Sequence, residues 1–188
     1  MSLFDDIKES AEGRELSTRW YRSKITSLGG TTMTAEQHIE EGYATAKPNY
    51  GMMNLFHYQP QTAEKLPFYD LFPLVIPVEK NRDGFTGINF HFLSIPMRVA
   101  FLNLLTEAFA DDRMEKLNLT WRQISGLGKS KVTVRRYKAR NVKSMFLRIP
   151  VEDMLIAVLL PVQRFYSGDL DSKRRVSSEV VYNKIRSM

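Results

Sequence analysis

The feature that most constrains the fold of this chain is a pair of apolar runs joined by a short turn. The runs Leu74–Glu79 and Phe85–Leu93 flank the turn sequence Asn81-Arg82-Asp83-Gly84. Apolar runs joined by a loop that ends in Asp-Gly favour a β-hairpin, because glycine readily adopts the positive φ that such turns need. The sequence therefore predicts a hairpin over residues 75–93, with a neighbouring strand over Met52–Tyr58.

The second strand of the hairpin shows the alternation that a pleated strand requires. Phe90 and Phe92 share one predicted side, while Asn89 and His91 share the other. His91 and His57 both fall in predicted strands among aromatic residues. A half-buried, hydrogen-bonded structural histidine is favoured there over a catalytic one.

Later segments add helices and two more strands. Pro96–Ala110 is predicted to be a helix, because proline suits a first helical turn and apolar residues follow at spacings of three and four. Met145–Ile149 and Ile156–Val162 are predicted strands. The pattern predicts an α+β fold: a small antiparallel β-barrel-like core, or curled sheet, of about five strands with a helical insertion, plus an N-terminal helical arm and a basic C-terminal tail.

The chain divides into three parts. Residues 1–47 are predicted to form an N-terminal arm, which either packs on a partner or folds back on its own domain. Residues 48–166 are predicted to form the β-barrel-like domain, with the helical insertion at 96–144. Residues 167–188 are predicted to form a polar, basic tail.

Positive charge is concentrated in the last third of the chain. The whole chain has a net charge of +6, yet residues 120–188 contain 15 basic and 5 acidic side chains, which gives +10. Residues 1–47 and 48–119 each contain 6 basic and 8 acidic side chains, which gives −2 for each. The segment Gly128–Ser144 is predicted to form a helix with a broad cationic face and Tyr137 among the cations.

A cationic helix face suits contact with nucleic-acid phosphates, which would be independent of base sequence and sensitive to salt. An acidic protein neighbour, or solvent alone, would also explain it. The candidate DNA-binding or interface residues are Lys129, Lys131, Arg135, Arg136, Lys138, Arg140, Lys143, Lys173, Arg174 and Arg175. The candidate partner-docking residues are Phe68, Tyr69 and Trp20, although Phe68 and Tyr69 are better explained as structural aromatics, with Asp70 bonding turn amides.

The sequence carries no pattern typical of catalysis, metal binding or membrane insertion. The chain has no cysteine, and its three histidines lack the spacing of metal ligands. Adjacent acidic side chains point in different directions on a helix, so the acidic pairs of this chain form no evident acid–base pair or two-metal site. We therefore expect neither an enzyme nor a cofactor or metal site. The longest strongly apolar run, Leu155–Val162, is far shorter than the roughly 20 residues of a membrane span. Because no signal peptide is visible, synthesis in the cytoplasm is expected.

Several motifs resemble one family of proteins from large contractile-tailed bacteriophages, whose members carry the label DNA end protector protein. The resemblance covers about residues 48–165 and is carried by Leu66–Val75, Gly84–Leu93, Arg98, Arg136-Tyr137-Lys138, Lys143–Pro150 and Ala157–Pro161. Two positions depart from the family pattern: Phe68 replaces a tyrosine, and Met154 stands where a tryptophan is expected.

The resemblance implies a non-enzymatic virion protein, made in the host cytoplasm, that enters the filled head and shields the ends of the packaged genome from exonuclease. The implied partners are double-stranded DNA ends and other virion proteins at the portal, neck or baseplate, with several symmetric copies and no membrane. The alternative function is a neck or baseplate assembly protein whose arms and basic face bind neighbouring virion proteins, with no role in DNA binding.

Overall fold

The computed structural model describes residues 44–98, 133–149, 165–168 and 175–186, together with residues 19, 100, 101 and 153. Its strands are β1 (Ala44–Thr45), β2 (Asn54–Leu55), β3 (Phe68–Tyr69), β4 (Leu74–Asn81), β5 (Gly84–Asn89), β6 (Val134–Lys138), β7 (Phe146–Arg148), β8 (Phe165–Ser167) and β9 (Arg175–Val176). The described helical segments are three 3₁₀ turns (Ala63–Lys65, Phe90–Phe92 and Ala139–Asn141), residues 95–98 and 100–101, and the C-terminal helix Ser178–Arg186.

The predicted hairpin is confirmed. Strands β4 and β5 pair antiparallel, and Asn81 faces Gly84 across a two-residue loop. Gly84 serves a purpose that turn chemistry does not reveal: its φ lies outside the left-handed region, but a Cβ there would lie 1.9 Å from the Tyr137 carbonyl oxygen. A glycine at this position therefore lets the backbone of β6 approach the hairpin closely.

Two antiparallel sheets are built from the described strands. The larger sheet has the order β1-β7-β2-β4-β5-β6, and the smaller has the order β3-β8-β9. The predicted α+β class with antiparallel strands is confirmed, and the late strand β7 pairs with both early strands β1 and β2. The barrel is wrong, since β1 and β6 stand at opposite ends of the larger sheet and do not pair in the described part of the chain.

The predicted basic helix is also wrong over residues 134–138, which form strand β6. The strand pairs with β5 from Ile88↔Val134 to Gly84↔Lys138. Tyr137 packs on Phe85 with its ring centroid 5.2 Å away, and this aromatic contact fixes the register. Arg136 and Lys138 consequently lie on one face of the strand, and Arg135 lies on the other.

The predicted strand over Phe85–Leu93 ends early. Strand β5 stops at Asn89, and Phe90–Phe92 form a 3₁₀ turn in which the Asn89 side chain accepts a hydrogen bond from the His91 backbone N–H. This local bond competes with strand pairing. As a result Asn89 and all three residues of the turn are buried, so the predicted two-sided alternation is wrong.

Two aromatic clusters fill the described core. The first cluster contains Phe56, Val75, Phe85, Tyr137 and Phe146. The second contains Phe92, Phe165 and Val181, and so joins the turn after β5 to the smaller sheet and the C-terminal helix. Phe92 thus connects the two sheets through side-chain packing.

Other predicted secondary-structure elements are confirmed in part. The strand predicted over Met52–Tyr58 is the short β2 followed by a bridge from Tyr58 to Val142, and the strand predicted over Met145–Ile149 is β7. Residues 95–98 and 100–101 are helical, as predicted for the start of Pro96–Ala110. The rest of that helix, the strand predicted over Ile156–Val162 and nearly all of the arm lie outside the described residues.

Candidate nucleic-acid interface

A buried polar network joins four residues of the sequence motifs. The Asp70 carboxylate accepts hydrogen bonds from Asn89 Nδ2 at 3.0 and 3.1 Å and lies 2.8 Å from His91 Nδ1. Asn89 Nδ2 also lies 3.0 Å from the Tyr137 hydroxyl. Asp70 therefore bonds side chains rather than the turn amides predicted for it, and the network links β5, β6 and the segment before β4.

Burial sets the protonation of this network. It lowers the pKa of His91 against an opposing hydrogen bond from Asp70, so the neutral imidazole donates its Nδ1–H to the carboxylate. Burial also raises the pKa of the Tyr137 phenol well above its usual value. Both groups are therefore uncharged at neutral pH, and a buried structural histidine is observed at position 91.

A second buried group ties the C-terminal helix to the core. Arg98 is 0% exposed, and its Nε donates to the Leu93 carbonyl oxygen at 2.8 Å. Its guanidinium donates to the Tyr182 hydroxyl at 2.6 Å, and that hydroxyl lies 3.3 Å from the His91 carbonyl oxygen. Asp70, Asn89, His91 and Arg98 are thus buried groups that stabilise the fold.

The exposed charge gathers elsewhere, in a broad groove that we call the cationic groove. Its open volume is about 930 Å³. Among the described residues, five cationic side chains and one carboxylate line it, together with Tyr50, Phe85 and Phe146 on its apolar wall. The cationic residues are Lys47, Lys80, Arg82, Lys138 and Arg140, and the carboxylate belongs to Asp83.

Sheet pairing brings these cations together from distant parts of the sequence. Lys80 and Arg82 belong to the tip of the β4–β5 hairpin, and Lys138 at the end of β6 lies opposite Gly84. The 3₁₀ turn after β6 carries Arg140, whose guanidinium donates to the Gln61 side-chain oxygen. Lys47 follows β1. Strand pairing thus accounts for the proximity of Lys80, Arg82 and Lys138, and the segments that follow β1 and β6 add Lys47 and Arg140 to the same groove.

The carboxylate in the groove is already paired. Arg136 donates to Asp83 at 2.6 Å, and both side chains are solvent-exposed. This hydrogen bond is the main reason that the pKa of Asp83 is lowered. Asp83 is therefore ionised at neutral pH, and its charge is offset by a cation outside the groove lining.

The predicted interface residues have different locations. Lys138 and Arg140 line the groove. Lys143 is exposed beside it and donates to the Arg140 carbonyl oxygen at 3.3 Å, while Arg135 lies over the Phe92 ring at 4.4 Å. Arg175 is in strand β9 of the smaller sheet. The remaining predicted cations, Lys129, Lys131, Lys173 and Arg174, lie outside the described residues.

Sequence reasoning missed three of the groove cations. Lys80 and Arg82 flank Asn81 in the hairpin turn, and Lys47 lies between the first two strands. The turn sequence could have indicated Arg82, because a two-residue hairpin loop exposes its side chains, whereas Lys80 belongs to strand β4. No local feature of the sequence indicates that Lys47 belongs to the groove.

The predicted docking aromatics are in the smaller sheet. Tyr69 stacks on Tyr166 across the β3–β8 pair, with ring centroids 5.6 Å apart. Phe68 packs against the second aromatic cluster, with the Lys184 ammonium 5.7 Å from its ring. Trp20 lies outside the described residues. A docking function for these aromatics stays a prediction.

The described ranges contain neither a side-chain cluster suited to a metal ion nor a helix suited to crossing a membrane. No group of three or more His, Cys, Asp or Glu side chains is placed there to hold a metal ion. Among the same residues, no helix has the length and apolar character to cross a membrane.

The fold and the groove together define a basic protein of mixed α/β structure with a concave cationic surface. A model of the family described as phage T4 terminal DNA protecting protein matches residues 6–185, almost the whole of the 188-residue chain. The chain belongs to this family, and the family expected from the sequence motifs is confirmed. Neither the comparison with curated proteins nor the comparison with solved structures found a match.

Proposed function

We propose that this protein binds the ends of packaged phage DNA through the cationic groove, without reading base sequence, and so shields those ends from nucleases. The observation that carries the proposal is the charge of the groove: five cations against one carboxylate that is already paired with Arg136. A surface of this kind binds a polyanion by releasing the counterions condensed on it.

The groove offers several phosphate contacts within one surface. Its cations come from the hairpin tip, with Lys80 and Arg82, and from the end of β6 and the turn after it, with Lys138 and Arg140. A sugar-phosphate chain that lies in the groove would meet cations from both segments. Phosphate contacts of this kind position a nucleic acid but do not specify its sequence.

Two finer parts of this proposal concern the virion. We propose that the protein acts in the filled head near the portal as a head-completion protein, in several symmetric copies. The support is the family match together with the resemblance of motifs in the central domain. The competing function, a neck or baseplate assembly protein without DNA binding, predicts that the groove binds an acidic protein surface instead.

Binding to linear and circular DNA tests this function. Blunt-ended duplex and a closed circle of equal length are compared with wild-type protein, and protection of the linear duplex from an end-directed exonuclease is measured alongside. We expect tighter binding to the linear form and slower digestion. If neither DNA is bound at low salt, the DNA function is wrong and an acidic protein partner takes its place.

A pair of matched variants locates the binding surface. Arg82→Ala/Arg140→Ala removes two groove cations, and Lys65→Ala/Arg175→Ala removes two exposed cations that do not line the groove. At about 0.15 M salt, each lost phosphate contact weakens binding about fivefold, so the groove variant should bind about 25-fold more weakly. Equal losses in both variants would place the DNA elsewhere.

A further inference from the structure

The structure contains a second, smaller cavity between the two sheets, which we call the aromatic cavity. Its volume is about 210 Å³. Lys138 lines both this cavity and the cationic groove, so the two are neighbours. A DNA strand whose phosphates lie in the groove would therefore have a base within reach of the cavity.

The lining of the aromatic cavity combines rings, cations, neutral polar groups and the carboxylate of Asp70, which is already bonded to Asn89 and His91. The rings belong to Tyr58, Phe68, Tyr69, Phe92 and Tyr137. The cationic side chains are those of Arg135, Arg136 and Lys138, and the neutral polar side chains include Gln61, Thr62 and Asn141. Proteins use this combination to hold unpaired bases: rings stack on the base, amides and hydroxyls bond its edge, and cations bind its phosphate.

Arg135 places a cation against one of the rings that line the cavity. Its guanidinium lies over the Phe92 ring at 4.4 Å. Its Nε is buried and has no hydrogen-bond partner in the part of the chain that the structure describes. The Nε atom is buried, so a base or phosphate that enters the cavity would meet the terminal nitrogens of the same guanidinium, which suit the oxygens of such a ligand.

Size restricts the occupant. An apolar cavity of about 150 Å³ admits benzene, so a cavity of about 210 Å³ admits one base ring and excludes a base pair. The occupant must consequently be unpaired. In a linear duplex, the bases that unpair most readily are those at the ends.

We propose that the aromatic cavity takes up one unpaired base at a DNA terminus while the cationic groove holds the adjoining phosphates. This inference rests on the proposed function and supplies what the groove lacks. Cations that contact phosphates cannot distinguish an end from the interior of a duplex, because both present the same backbone. An unpaired base is available at an end, so the cavity accounts for end preference.

The test compares duplexes that differ only in their terminal overhang. One carries three unpaired nucleotides, and its match carries three abasic nucleotides with the same phosphates. Since alanine scans assign a clear share of affinity to each stacked base, wild-type protein should bind the first about tenfold more tightly. Equal affinity for the two overhangs would overturn the proposal, yet would leave groove binding intact.

Two variants separate the base from the phosphates. Arg135→Leu should reduce the tenfold advantage of the base-containing overhang to about twofold, while Arg140→Leu should weaken binding to both overhangs equally. The opposite pattern would contradict the assignment of base and phosphate to separate surfaces. If neither overhang binds the wild-type protein at low salt, the proposed function itself fails.

A measurement on unaltered protein covers the case in which Arg135→Leu does not fold. A 2-aminopurine at the first unpaired position loses fluorescence when it stacks on rings or bases. We expect binding of wild-type protein to quench it by at least about half, and to leave a 2-aminopurine placed inside the duplex unchanged. Fluorescence that rises or stays constant at the unpaired position would contradict uptake of the base by the cavity.

Discussion

The buried network around Asp70 and the cationic groove differ in almost every physical respect. The network is neutral or internally paired and is made of residues less than a tenth exposed, such as Asn89 at 0% and His91 at 1%. The groove is open and positively charged. The network is made of residues from the motifs that make the sequence recognisable, whereas the groove cations other than Lys138 are lysines and arginines outside those motifs. The comparison teaches that the most distinctive residues of this chain stabilise its fold, while its least distinctive residues are those we propose to bind DNA.

The largest expected effect is the loss of folding stability when the buried network is broken. Asp70→Ala leaves the buried side chains of Asn89 and His91 without their shared acceptor, which should lower the free energy of unfolding by roughly 3 kcal/mol. Urea unfolding measures the loss. The control, Glu64→Ala in an exposed 3₁₀ turn, should change stability by less than about 0.5 kcal/mol. A loss below about 1 kcal/mol for Asp70→Ala would contradict the claim that the network stabilises the fold.

The next effect is the dependence of folding stability on pH. Because burial lowers the pKa of His91 below the 6.5 of an unfolded histidine, the unfolded state binds more protons below pH 6.5, and stability should fall as the pH is lowered. The slope contributed by one such group is at most about 1.4 kcal/mol per pH unit. Unfolding at pH 7.5 and 5.5 measures it.

His91→Gln should flatten this dependence between pH 7.5 and 5.5. The comparison variant is His57→Gln, because the pKa of the half-buried His57 is also lowered, by burial and by Lys143. We expect His91→Gln to remove more of the slope than His57→Gln, since His91 is fully buried. An unchanged slope in His91→Gln would show that its protonation is not linked to folding.

A smaller effect tests the edge of the network at β6. Tyr137→Phe removes the hydroxyl that lies 3.0 Å from Asn89 Nδ2 and should lower stability by about 1 kcal/mol. The comparison variant is Tyr58→Phe, because the Tyr58 hydroxyl accepts only long hydrogen bonds, at 3.3 and 3.4 Å. Equal losses in urea unfolding would contradict a special contribution from the network.

The smallest effect tests the groove. Asp83→Asn removes the carboxylate that lines it among the described residues and releases Arg136, so DNA affinity at about 0.15 M salt should rise on the order of threefold. Glu79→Gln is the matched control, because Glu79 is exposed on the same hairpin outside the groove. Fluorescence anisotropy with a labelled duplex measures both. A rise of equal size in the control would reflect net charge alone.

Local chemistry made part of this fold predictable. The β4–β5 hairpin follows from a turn sequence between apolar runs, and strand β7 follows from a short apolar run, so both could be predicted. The strand at 134–138 could not, because Val134 and Tyr137 are also spaced as on a helix. Only pairing with β5 and packing against Phe85 decide between the two structures.

The groove was predictable only in part, for the same reason. Lys138 and Arg140 stand in the basic segment that the charge distribution singles out. Lys47 and Arg82 join them because the segment after β1 and the hairpin tip line the same groove as the end of β6 in the folded chain. Sheet pairing between distant segments carries no local sequence signal, so the composition of a surface built by such pairing stays hidden until the fold is known.

The dependence of DNA affinity on salt tests the central claim most directly. For five phosphate contacts in the groove, a plot of log Kobs against log salt concentration should have a slope of about −4.5. In Arg82→Ala/Arg140→Ala the slope should become shallower by about 1.8, while Lys65→Ala/Arg175→Ala should keep the wild-type slope. A slope that is unchanged in the groove variant would contradict the account, because the cations that line the groove would then not be those that contact DNA.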